Sequence, residues 1–110
     1  MPTRTAALAQ LISPSNASIA AFTCPAGETV IVKSATLFNS TGGALAGILY
    51  LLAVSTDVQS MLVSQSILSA GFAEWSGWRV MKPGDRVYFQ PGGAGLHLWV
   101  SGTRLIGVAA

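Results

Sequence analysis

Thr29-Val30-Ile31-Val32-Lys33-Ser34-Ala35-Thr36-Leu37-Phe38-Asn39 is dense in β-branched residues, whose stiff side chains fit a pleated strand better than a helix. It runs into Ser40-Thr41-Gly42-Gly43, a cluster that turns the chain, and then into the apolar stretch Ala44 to Val54. A strand, a hairpin across residues 40 to 45 and a second strand over Ala46 to Val54 follow. In that second strand Ile48, Tyr50, Leu52 and Val54 share one face and Leu49, Leu51 and Ala53 the other. Both faces are apolar. A strand of a two-layer sandwich shows one face to water, so the face of Leu49 and Leu51 is expected to be covered from outside by a neighbouring subunit. Leu and Ala also favour a helix by intrinsic propensity, and a helix through the same residues is the competing reading.

The same punctuation recurs on either side. Pro25-Ala26-Gly27, Pro83-Gly84-Asp85 and Pro91-Gly92-Gly93 separate runs rich in Val, Ile, Leu, Phe, Trp and Thr. Strands are expected at Ile19 to Thr23, Met61 to Leu68, Ala73 to Met81, Asp85 to Gln90, Gly95 to Ser101 and Arg104 to Ala109, all of ordinary strand length. The fold class is therefore all-β, an antiparallel β-sandwich (jelly-roll or Ig-like) of about seven to eight strands. Pro2, Pro14 and Ser15-Asn16-Ala17-Ser18 set the opening apart, so residues 1–18 are expected to form an extended N-terminal arm and residues 19–110 the sandwich domain.

Composition narrows the function. Charged residues make 9% of the 110 residues, against roughly 25% in an average soluble domain. A surface so poor in charge is expected to be partly hidden against other subunits. Hydrophobic residues reach 51%, yet the longest apolar run is far short of the about 20 residues that a spanning helix needs. No membrane partner and no export segment are expected. The net charge of +2 comes from Arg4, Lys33, Arg79, Lys82, Arg86 and Arg104, scattered along the chain, so no nucleic-acid partner is expected. Cys24 is the single cysteine, which excludes an internal disulfide framework. Asn16-Ala17-Ser18 and Asn39-Ser40-Thr41 match the glycosylation pattern and are read as turn residues.

No catalytic constellation is legible. His97 is the only histidine and alternates with apolar residues in Leu96-His97-Leu98-Trp99-Val100, so it shares a face with Trp99 as a surface or interface residue. The acids are Glu28, Asp57, Glu74 and Asp85; three of them sit in or beside turns, which leaves no carboxylate pair. No ligand cluster has metal spacing, and Gly92-Gly93-Ala94-Gly95 lacks the Lys and helix of a phosphate loop. No enzyme activity and no cofactor are expected. Trp75 and Trp78, three residues apart, fall on opposite faces of a regular strand, so one should face outward unless a bulge intervenes at Gly77. The expected interface residues are Leu49, Leu51, Trp75, Trp78, His97 and Trp99. A carbohydrate-stacking role for Trp75 or Trp78 is the reading from another class.

The succession Phe22-Thr23-Cys24-Pro25-Ala26-Gly27-Glu28-Thr29-Val30-Ile31-Val32-Lys33-Ser34, then Asn39-Ser40-Thr41-Gly42-Gly43, with a late Pro83-Gly84-Asp85 turn and a closing Val100-Ser101-Gly102, resembles small virion proteins of tailed bacteriophages. The resemblance spans most of residues 19 to 109. It implies a non-enzymatic β-sandwich carried in many copies on the particle, with capsid decoration that stabilises the head as the favoured role. A neck or tail-fibre module that binds a carbohydrate or receptor is the alternative. The implied partners are the chain itself, as a homotrimer or higher, a major capsid or tail protein, and in the alternative a host-surface glycan. The implied location is the virion, assembled in the bacterial host cytoplasm.

Overall fold

The computed structural model describes residues 3–54 and 58–106, all of it strand and turn. The strands are β1 (Thr3–Ile12), β2 (Ile19–Thr23), β3 (Glu28–Asn39), β4 (Leu45–Ala53), β5 (Val58–Ile67), β6 (Phe72–Met81), β7 (Arg86–Pro91) and β8 (Leu96–Ile106). They form two four-stranded sheets, ordered β1-β8-β3-β6 and β2-β7-β4-β5, with every pairing antiparallel. The first strand pairs with the last, the second with the seventh, the third with the sixth and the fourth with the fifth. That nesting is a single long β-ribbon, with the β4–β5 hairpin at its tip, rolled until β3 meets β8 and β4 meets β7. The sandwich is therefore a jelly roll.

Alternation along each strand builds the core. Val30 and Val32 point inward from β3; the register then slips between Val32 and Ser34, and Ala35, Leu37 and Asn39 take over the inward face. A bulge at Lys33 thus changes the parity of the strand. Leu96, Leu98 and Val100 of β8, Val87 and Phe89 of β7 and Leu49 and Leu51 of β4 complete the interior between the two sheets.

The strand expected over Ala46 to Val54 is β4, which sets the competing helix aside, and three expectations are corrected. Residues 46–54 form no helix: β4 is central in its sheet, where β-ladders on both sides satisfy its backbone. Leu49, fully buried, and Leu51, 5% exposed, are core residues of one chain and not interface residues. The apolar outward side of β4 is half-buried by its own neighbours, with Tyr50 stacked on Tyr88 at 5.4 Å between ring centroids and Leu52 between Gln59 and Arg86. The expected arm is largely a strand, since β1 pairs with β8 from Thr3↔Leu105 to Ile12↔His97, and only residues 13–18 cross over to the second sheet. The expected strands at Gly95 to Ser101 and Arg104 to Ala109 are one strand, because Gly102 is a point of close approach rather than a turn. A side chain at Gly102 would overlap the carbonyl of Ile31 in β3. Residues 107–109 of that expected strand, Asp57 and the first two residues of the expected arm lie outside the described residues.

The turns carry the polar core. Asn39 is fully buried; its Nδ2 donates to Gly43 O (2.7 Å) and Ile67 O (2.9 Å), and its Oδ1 accepts from Thr41 N and Thr41 Oγ1. It ties the β3–β4 loop to β5, and its amide is unavailable as a glycosylation acceptor. Asp85 accepts from Val54 N and Lys82 N, which fixes the Pro83-Gly84-Asp85 corner against the end of β4. Ser13 holds the end of β1 to the β7–β8 loop, donating to Gly93 O and accepting from Leu96 N.

Candidate interface on the outer sheet face

The outer face of the β1-β8-β3-β6 sheet gathers most of what the core leaves uncovered. Six of the exposed large apolar side chains, Ile12, Phe38, Phe72, Trp78, Val80 and Trp99, belong to this sheet, while Met61 alone lies on a strand of the other and Val54 and Leu68 lie just past strand ends. Register explains the grouping. Ile12 pairs with His97, His97 with Phe38 and Phe38 with Phe72, one straight row across all four strands. The next outward row is Gln10, Trp99, Thr36 and Glu74. Between Ile12 and Trp99 the surface dips into a shallow groove of about 690 Å³ lined by Gln10, Ile12, Thr36, Phe38, His97 and Trp99.

Beyond these rows Ser34, Ser101 and Ser76 cross the middle of the sheet as a belt of small polar side chains, and the Ser34 and Ser101 hydroxyls lie 2.6 Å apart. Past the belt the face turns apolar again at Ile31 and Val80. Lys33 is exposed on a strand whose inner side is covered by the second sheet, so its side chain points out of this face at the bulge. Among residues whose side chains are described, Lys33 and Glu74 are its formal charges.

His97 and Trp99 share this outward face, as their alternation with Leu96, Leu98 and Val100 requires; Trp99 is 57% exposed. Trp75 and Trp78 separate. Trp75 is half-buried and packs against the core with Arg79 over its ring at 5.5 Å, whereas Trp78 is 67% exposed. A bulge lies between them, where Val32↔Arg79 gives way to Ser34↔Ser76, and Gly77 adopts a φ of 155° there that disfavours any side chain. The structure therefore brings together His97 and Trp99, sets Trp78 further along the same sheet, and places Trp75, Leu49 and Leu51 elsewhere. Sequence reasoning missed Ile12 and Phe38. Ile12 was hidden by the arm assignment; Phe38 becomes outward only through the parity change at Lys33.

The face has little chemistry to offer a substrate. His97 Nε2 lies 3.0 Å from Ser40 Oγ, but that hydroxyl donates its proton to Gly95 O, so it can only accept from the imidazole. This is the reverse of a base activating a nucleophile. No described carboxylate contacts His97: Glu28 is bound to Arg104 and Asp85 is spent on backbone amides. Among the described residues no three His, Cys, Asp or Glu could hold a metal ion. Cys24 lies buried near Met81, where burial, and then the charges of Glu28 and Asp85, push its thiol above the ordinary value. Such a thiol is a poor nucleophile. No helix among the described residues is long and apolar enough to cross a membrane.

No protein-family model matches the chain, and none of the curated proteins does. Solved structures match its fold. A chain in the structure of the infectious bursal disease virus Gx strain superposes with a TM-score of 0.52 at 13% identity, over 94% of this chain and 31% of that one. The T13 infectious bursal disease virus particle gives a TM-score of 0.49 at 10% identity, over 93% of this chain and 30% of that one, and the Drosophila NLP core 0.48 at 8% identity, over 94% and 97%. This chain thus spans about a third of the length of the virus chains that it resembles, and the likeness is one of fold.

The match to the Gx strain structure corrects the resemblance drawn from the sequence. The structure whose fold this chain shares is of infectious bursal disease virus and not of a tailed bacteriophage. Capsid decoration of a phage head, a neck or tail-fibre adhesive role and assembly in a bacterial cytoplasm fall with it. The reason is visible in the fold. The matching residues, Pro25-Ala26-Gly27, Asn39-Ser40-Thr41-Gly42-Gly43 and Pro83-Gly84-Asp85, lie at or beside the corners of a rolled ribbon, where turn chemistry recurs whatever the particle.

Proposed function

We propose that the chain is a non-catalytic structural module of a virus shell that self-associates through the outer face of its β1-β8-β3-β6 sheet. The observation that carries this reading is the concentration of Ile12, Phe38, Phe72, Trp78, Val80 and Trp99 on one nearly uncharged surface. Monomeric proteins seldom leave so many large apolar side chains on one face, and removing them from water is the dominant driving force of association. Aromatic residues supply the largest buried area per side chain, so Trp99 and Phe38 are the side chains whose loss should weaken the contact most. The likeness in fold to a chain of the infectious bursal disease virus particle supports a place in a shell, where many copies multiply a modest energy per contact.

Sedimentation over a concentration series from low micromolar upward tests the reading. The wild-type chain is expected to associate with little dependence on salt, and Trp99→Glu or Phe38→Asp to remain folded, by circular dichroism, as a monomer. A wild-type chain that stays monomeric throughout overturns it.

A further inference from the structure

The four edge strands leave only the faces for assembly. An edge strand offers unpaired amides and carbonyls to any strand that comes alongside, and bulges are one way of spoiling that template. Here every edge carries one: Leu8 is the extra residue of β1 between Ala7↔Ser101 and Ala9↔Val100, Ala21 that of β2, Leu62 that of β5, and β6 slips at Gly77 and Trp78. Edge-to-edge growth of either sheet is therefore disfavoured, and a contact between copies falls on a face.

Resting on the assembly reading above, we propose that the partner of the β1-β8-β3-β6 face is the same face of a second copy, related by a two-fold axis that lies along the serine belt. The face holds two apolar patches, one around Phe38 and Trp99 and one around Ile31, Val80 and Trp78, with Ser34, Ser101 and Ser76 between them. A two-fold axis lying along the belt lays the first patch of each copy on the second patch of the other, and small belt residues let the two backbones approach. Charge follows the same symmetry. Lys33 sits beside the belt on β3 and Glu74 on its other side on β6, so one rotation brings each lysine to the side of the belt that holds its partner's glutamate, one strand spacing of about 4.8 Å across, within reach of the long lysine side chain. Four strands about 4.8 Å apart and about ten residues long, at about 3.4 Å per residue, give roughly 650 Å², near the roughly 800 Å² per partner of a standard interface.

The test is a charge exchange read by sedimentation. Lys33→Glu and Glu74→Lys should each weaken association by about tenfold or more, because each replaces two attractions by two repulsions. The double variant should return to wild-type association, and an equimolar mixture of the two single variants should associate where neither does alone. Simple net charge predicts otherwise. Lys33→Glu takes the chain from +2 to zero, so unspecific association would strengthen it. Association that is lost in Trp99→Glu but indifferent to both charge variants, or not rescued by the double variant, overturns the two-fold pairing and leaves the assembly reading standing. A chain that never associates overturns both.

Discussion

Arg104 grips the carboxylate of Glu28 with two parallel hydrogen bonds, Nε to Oε1 at 2.7 Å and Nη2 to Oε2 at 2.6 Å, joining β8 to the first residue of β3. The bond from Glu28 holds the guanidinium proton more tightly than in water. The glutamate side chain is only 11% exposed and the arginine 28%, so water competes weakly for this fork. Arg104→Ala should cost about 1–3 kcal/mol in urea unfolding. Arg104→Lys should recover less than half of that, since an ammonium cannot present two parallel donors to one carboxylate. Equal stability of the lysine variant and the wild type would mean that charge alone is at work.

Asn39 makes four hydrogen bonds at a site closed to solvent, and they tie β3, the β3–β4 loop and the end of β5 together. Asn39→Ala should destabilise the fold by about 2–4 kcal/mol, as the carbonyls of Gly43 and Ile67 lose a donor. Asn39→Asp should cost at least as much, because a carboxylate turns acceptor against acceptor toward both carbonyls. Thermal unfolding checks the order: a variant at Asn39 as stable as Ser40→Ala would show that the loop is held by other bonds.

Much of the fold was legible because turns and alternation are local. Ile19 to Thr23 is strand β2 as read, and Asn39 and Pro83-Gly84-Asp85 mark real corners. The failures share a cause: they depend on which strands become neighbours. Nothing local in Thr3 to Ile12 says that β8 will pair with it, and nothing local in β4 says that its Leu49 side is buried in the core while its Tyr50 side is covered by Tyr88. The candidate face was half legible. Alternation sent His97 and Trp99 outward, but Phe38 joined them only because a bulge at Lys33 resets the count, and single-residue insertions leave no periodic signal.

Cys24 makes stability depend on alkaline pH. Burial raises its folded-state value above that of a free thiol, about 8.5, with Glu28 and Asp85 adding to the effect. A raised value means that the folded chain holds the proton where the unfolded chain releases it. The stabilising contribution is therefore complete below about pH 8.5 and is lost as pH rises through the folded value. Urea midpoints measured from neutral pH upward should fall beyond pH 9 in the wild type and fall less in Cys24→Ala. The native thiol should also react with a disulfide reagent at a small fraction of the rate seen in urea. Rapid modification of the folded chain would place Cys24 at the surface.

Gly102 offers the sharpest test of the rolled ribbon itself. It stands in β8 opposite Val32 of β3, beside the Lys33 bulge, and the two backbones approach so closely that any Cβ would overlap Ile31 O and crowd Val32 Cα. These are backbone atoms of the central strand pair, so they cannot swing aside as a side-chain tip would. Gly102→Ala should cost about 2–4 kcal/mol, in the range of a forced overpacking that also disturbs a ladder. Gly42→Ala and Gly43→Ala serve as controls, because a Cβ there would meet open space, and each should stay within about 0.5 kcal/mol of the wild type. If Gly102→Ala unfolded at the same urea concentration as the controls, β3 and β8 would have to be further apart than described, and the close pairing that turns two expected strands into one would be wrong.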